Sequence, residues 1–170
     1  MKKKIMLVDG YNMIAFWQET RQLFKTNRLD EARELLLRKL HNYANFENIN
    51  IICVFDAQYV PGVRQRYDHY KVQVIFTEED ETADAYIERT AAELNTAINL
   101  VEVATSDLNE QWTIFSQGAL RVSARELEQR VNTVKADLDK MSKKIDLSKP
   151  PLRPWDDDQL SQLKNLLNDL

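Results

Sequence analysis

An α/β fold built on a mainly parallel sheet is predicted for this 170-residue chain by three features. Short apolar runs rich in Val and Ile recur at residues 5–8, 49–55, 72–76 and 100–104, with little polar alternation. Strands covered on both faces read this way. Helical patterns lie between most of the runs, and strand–helix alternation implies right-handed crossovers. Three of the runs also lead into a carboxylate, at Asp9, Asp56 and Asp107.

The elements follow in chain order. The first run passes directly into Asp9, Gly10, Tyr11 and Asn12. Asp30 is placed to cap a helix reaching about Glu47, with Glu31 and Glu34 near its start and Leu36, Leu40 and Tyr43 on one stripe. Thr82 opens a second helix to about Asn95, where Ala83, Ile87, Ala91 and Leu94 recur at helical spacing. A shorter helix is read over 109–115 and a short strand over 119–122. A long helix then starts at "SARELEQRV", where Ser123 and Glu126 have capping-box spacing. Its stripe of Leu127, Val131, Val134, Leu138, Met141 and Ile145 spans under three heptads. That is short for a coiled coil, so packing on the sheet or its neighbours is expected, with self-association as the alternative. "SKPPLRP" is a proline-rich linker. An amphipathic helix from Asp156 to about Leu170 closes the chain, with Leu160, Leu163 and Leu167 on one side. The expected organisation is a main domain over 1–147 and a linker with a short helix over 148–170.

Composition excludes several classes. Hydrophobic residues make up 44% and charged residues 29%, the balance of a chain with one real core. No apolar run approaches membrane-spanning length, and Lys2, Lys3 and Lys4 precede too few apolar residues for a signal peptide. The single cysteine, Cys53, lies within an apolar run and forms no internal disulfide. A cytoplasmic protein without a membrane partner is expected. With only Gly10, Gly62 and Gly118, the chain has neither a P-loop nor a dinucleotide-binding glycine pattern. His41 and His69 have no metal-ligand spacing, and no Ser-His-Asp or Cys-His arrangement is suggested. An aspartate-nucleophile phosphatase usually needs a second Asp two residues after the first, where this chain has Tyr11.

The strand-end acids carry the chemistry. In open parallel sheets, ligands bind beyond the carboxyl ends of the strands. Asp9, Asp56 and Asp107 therefore share one edge. The acid-rich segment Glu78, Glu79, Asp80, Glu81, Asp84, Glu88 opens at that edge too, with Asp84 in the first turn of its helix. A lone Asp after a strand is ordinarily a turn or cap residue. Three such acids beside an acid-rich helix start point instead to a shared cation. Crowded carboxylates repel unless neutralised, and oxygen-only donors suit Mg2+ or Mn2+ rather than zinc. Such sites hydrolyse phosphodiesters by activating water and stabilising the leaving oxygen. Asn12, Thr105 and Ser106 are placed to orient a carboxylate or water.

The net charge of −4 argues against binding nucleic acid by bulk charge alone. The charges are segregated, however. "VPGVRQRYDHYK" interleaves Arg64, Arg66, His69 and Lys71 with Tyr67 and Tyr70. Between Arg121 and Arg153 there are nine Lys or Arg against five acids, including Arg125 and Arg130. Cations beside aromatics hold phosphates and stack bases, which suggests an RNA path toward the acidic edge. Solvated surface charge is the alternative for each residue taken singly.

Three segments in order, "IMLVDGYNMI", "EDETADAYIE" and "ATSDLNEQWTIFSQGALRVSARELEQRV", resemble the YacP-like branch of the NYN domain family. The resemblance covers about residues 4–145 and leaves out the last helix. It implies a Rossmann-like α/β/α sandwich similar to PIN nucleases, with an acid cluster binding Mg2+ or Mn2+. It further implies an endoribonuclease that associates with ribosomes and cuts messenger RNA during translation, with no DNA partner expected. By motif, Asp9 and Asp84 are the first metal ligands; Asp107 and Asp56 come next, Asp56 placed by its strand-end position, with Asn12 in support. Arg64, Arg66, Lys71, Arg121 and Arg125 are the expected RNA contacts, and Gln111 and Trp112 are candidates for RNA or ribosome contact. Two rivals remain: a non-catalytic RNA- or ribosome-binding module with a degenerate nuclease fold, and a hydrolase of small phosphate esters.

Overall fold

The computed structural model describes residues 1–59, 70–107, 118–148 and 157–168. Five parallel strands form one sheet in the order β3-β2-β1-β4-β5. They are β1 (Lys3–Asp9), β2 (Asn50–Phe55), β3 (Val72–Phe76), β4 (Asn99–Ala104) and β5 (Leu120–Val122). The described helices, numbered in order, are α1 (Gly10–Phe16), α2 (Gln18–Lys25), α3 (Leu29–Glu47), α4 (Ala83–Leu94), α5 (Ala124–Ser148) and α6 (Asp157–Asn168). The strand order reverses direction between β1 and β4, which creates a topological switch point where those two strands end.

Side-chain alternation divides the sheet between two layers. Leu7, Val54, Val101 and Val103 meet Ala83, Ile87 and Ala91 of α4 in one buried cluster. Met6, Val8, Cys53 and Phe55 are buried and alternate to the other face, where α1 and α3 lie against β2. Helices on both faces explain why the strand runs are apolar without a polar period.

Two helices have no counterpart in the expected elements. α1 begins directly on the last residue of β1, with Asp9 as its cap: an Asp9 carboxylate oxygen accepts the Asn12 amide N–H at 3.4 Å. Gly10, Tyr11, Met13 and Ile14 of α1 are buried, so this short helix shows no amphipathic stripe. α2 follows with Trp17 in the cap position and no side-chain cap bond. Trp17 is buried, and its indole N–H donates to the Ala124 carbonyl at 2.9 Å, tying the α1–α2 junction to the start of α5.

The capping box of α5 is formed: Glu126 N–H donates to Ser123 Oγ and Ser123 N–H to Glu126 Oε2, each at 3.1 Å. Along its apolar stripe Leu127, Val131 and Val134 are buried, while Met141 and Ile145 are exposed. Leu127, Val131 and Val134 thus pack as expected. The chain divides into a compact unit Met1–Lys135, which holds the sheet, and a second unit Ala136–Leu170. Within the second, α6 buries no residue, and Leu160, Leu163, Leu166 and Leu167 are exposed. The expected helix over 109–115 and the linker around 149–155 lie outside the described residues.

Candidate metal and nuclease site

The carboxyl edge of the sheet gathers the acids. Asp9 closes β1 and is buried. Asp56 follows β2 and is half-buried; its Oδ1 accepts the Gln58 N–H at 3.0 Å, an Asx turn that opens a short 3-10 turn at Ala57–Tyr59. Asp84 is half-buried in the first turn of α4, which Thr82 caps by accepting the Ala85 N–H at 3.2 Å. Asp107 lies beyond β4, and its N–H donates to Thr105 Oγ1 at 3.1 Å. Glu81 is drawn into an ion pair with Arg89 at 2.8 Å, which leaves Asp84 the acid of this segment that acts on Asp9.

These acids share an electrostatic neighbourhood. The Asp9 carboxyl is pushed from 3.8 to about 7, first by burial, then by the charge of Asp84, with smaller contributions from Asp107 and Asp56. The Asn12 N–H opposes the shift without cancelling it. A buried acid facing three others is costly to ionise unless a cation is near. Among the described residues, however, no three His, Cys, Asp or Glu side chains form a ready metal-binding group. A donor set of carboxylate oxygens fits a hard divalent cation.

A hydrogen-bonded strut holds the switch point. Asn12 Oδ1 accepts the Ser106 N–H at 2.9 Å, and Ser106 Oγ accepts the Ala124 N–H at 3.0 Å. Because a backbone N–H can only donate, the Asn12 carbonyl oxygen must face Ser106, and its NH2 is the group left to donate. Asn12 thus links Asp9, the β4 exit and the start of α5.

Three supporting features escaped the sequence reading. The Phe55 ring lies so close over Gly10 that a Cβ there would sit 2.3 Å from Phe55 Cε1. Tyr11 packs edge-on against Phe55 with ring centroids 5.1 Å apart, and its hydroxyl accepts from buried Arg33 at 3.1 Å. Thr77 is buried and bridges β2 and β3: its N–H donates to the Phe55 carbonyl at 3.0 Å and its Oγ1 accepts the Ala57 N–H at 3.1 Å. Asp9 and Asp56 are thereby flanked by one packed assembly. The glycine straight after a buried strand, in a chain with three glycines, was the available signal.

The expected RNA contacts are dispersed. Arg125 is exposed in the first turn of α5, and Arg121 is exposed on β5. Lys71 is exposed but immediately precedes β3, so it stands at the amino edge of the sheet, away from the acids. Arg64, Arg66, Tyr67 and His69, together with Gln111 and Trp112, lie outside the described residues.

A parallel α/β sandwich with carboxylates along the carboxyl edge defines a nuclease-like domain. The chain belongs to the YacP-like NYN domain family, whose model matches residues 6–168, a span that includes α6. It is 46% identical over 146 residues to the protein YacP of Bacillus subtilis strain 168, covering 86% of this chain and 85% of that one. Two crystal structures of Rae1 (YacP) from Bacillus subtilis are similar in fold. One superimposes with a TM-score of 0.78 at 41% identity, covering 97% of this chain and 91% of the other. The second, a mutant form, gives 0.75 at 43% identity over 87% and 86%. The α/β fold and the YacP-like NYN membership expected from the sequence are both borne out.

Proposed function

We propose that this protein is a divalent-metal-dependent endoribonuclease acting on messenger RNA at translating ribosomes. The observation that carries the reading is Asp9, a buried carboxyl at the switch point whose proton affinity is raised by burial and by three further acids. Membership of a nuclease-like family supports it. Asp9, Asp84 and Asp107 would hold Mg2+ or Mn2+, and Asp56 would hold metal or position the attacking water. A divalent cation supplies, when bound, the positive charge that offsets these acids and the scissile phosphate. The Asn12 NH2 would donate to a phosphate oxygen or a carboxylate, its oxygen being taken by the Ser106 N–H. Arg121 and Arg125 attract the RNA backbone on the flank. The expected products carry a 5′-phosphate and a 3′-hydroxyl. A chain of net charge −4 binds free RNA weakly, so the ribosome is the expected partner that delivers the substrate.

No three carboxylates form a ready metal-binding group among the described residues, which favours a second reading, a non-catalytic RNA- or ribosome-binding module. One end-labelled messenger RNA in a reconstituted translation reaction, with and without ribosomes, separates the two. Discrete fragments from the wild type and none from Asp84→Asn support the nuclease. Intact RNA with both proteins, each still bound to ribosomes, supports the binding module.

A further inference from the structure

The amino edge of the sheet carries a second, differently built surface. Beyond the carboxyl end of α4, a trough of about 300 Å3 is lined by Lys3, Ile5, Asn50, Ile52, Lys71 and Gln73, with Leu94 and Ile51 completing it. Its wall contains two cations and no acid. Lys3, Ile5 and Ile52 lie on the α4 face, because Leu7 of the same strand packs there and Ile52 and Leu94 pack against that cluster. Along β1, Lys3 and Asp9 are six residues apart, about 20 Å at about 3.3 Å per residue. This surface is therefore separate from the acid edge.

The two lysines are fixed at the backbone. Lys3 N–H donates to the Ile98 carbonyl at 2.9 Å. Lys71 N–H donates to His41 Nδ1 at 2.7 Å, and its neighbour Tyr70 donates to Glu34 Oε2 at 2.8 Å and packs edge-on against His41. α3 thus determines where Lys71 stands. Both side chains are exposed, and neither has an acidic partner among the described residues.

We infer that this trough is an RNA exosite, a second place where the substrate strand is held, about one strand length from the acids. The inference rests on the proposed action on RNA. Its chemistry suits a single strand: Lys3 and Lys71 meet phosphates, the aliphatic floor takes a base face, and Asn50 and Gln73 present amide donors and acceptors to base edges. It also addresses an electrostatic difficulty. The acid edge repels a polyanion, so cations outside that edge must supply part of the affinity.

The test is the salt dependence of binding of a labelled single-stranded RNA, read by fluorescence anisotropy with Mg2+ present. Asp84→Asn is compared with Asp84→Asn carrying Lys3→Ala and Lys71→Ala. Each lost phosphate contact on a single strand lowers the slope of log K against log salt by about 0.7, so the two lysines together account for about 1.4. The expected result is a slope shallower by about that amount, weaker binding for every sequence tried and an unchanged melting temperature. An unchanged slope overturns the exosite and leaves the lysines as partners of the α4 carboxyl end. Undetectable RNA binding by the protein with both lysines overturns it too. Cleavage by the wild type, followed on a gel, reports separately on the nuclease reading.

Discussion

Replacing Asp9 with asparagine separates the charge at the centre of the site from its shape. Asparagine keeps an oxygen to accept the Asn12 N–H, so the cap of α1 survives. Only the ionisable group is lost. In the folded chain the Asp9 carboxyl titrates at about 7, against 3.8 for an ordinary carboxyl. A raised carboxyl binds its proton more tightly in the folded state, so folding opposes ionisation. The resulting destabilisation is absent below about 3.8, grows through the interval, and is complete above about 7. At about 1.4 kcal/mol per pH unit the gap amounts to about 4 kcal/mol at its ceiling. At about 2–4 °C per kcal/mol, Asp9→Asn in the presence of a chelator should melt up to about 15 °C higher than wild type at pH 8. The advantage should shrink steadily toward pH 4. Thermal melts of both proteins across that range, with chelator throughout, measure it. Equal melting temperatures at pH 8, or a difference that does not depend on pH, would refute the argument. Added Mn2+ should then stabilise the wild type and leave the variant nearly unmoved, because ligand binding stabilises only the state that binds.

Gly10→Ala drives a Cβ into the Phe55 ring and should cost about 1–3 kcal/mol in chemical denaturation; a neutral result would mean that the ring moves freely. Since Phe55 directly precedes Asp56, Mn2+ affinity measured by calorimetry should fall as well. Trp17→Phe removes the indole N–H that satisfies the Ala124 carbonyl and should cost at least about 1 kcal/mol, read by the same denaturation assay.

Most of the sheet was legible because its strands are buried on both faces and so read as unbroken Val/Ile runs. β1 extends past the apolar run at both ends, to Lys3 and to Asp9, because ladder pairing with Asn99 and Val54 does not require apolar side chains. α1 and α2 were hidden for physical reasons. α1 is only seven residues long, too short to set a period, with four of them buried, and α2 starts at a tryptophan in place of a capping Ser, Thr, Asp or Asn. The strand-end acids stood out because a buried strand seldom ends on a charge without a reason. Their strength of coupling did not stand out, since it depends on the burial of Asp9 and on the closeness of Asp84, both products of tertiary packing. Where Lys71 stands was not legible: β3 runs from it toward the acids, so the lysine lies at the amino edge of the sheet.

The measurement that bears most directly on the nuclease account is the chemistry of the cut ends. Messenger RNA fragments produced with ribosomes and Mg2+ or Mn2+ would be mapped for their termini, beside a chelator control and Asp84→Asn. The account predicts 5′-phosphate and 3′-hydroxyl ends that vanish both with chelator and with Asp84→Asn. Fragments ending in a cyclic phosphate, or cleavage that survives chelation and the loss of Asp84, would contradict it.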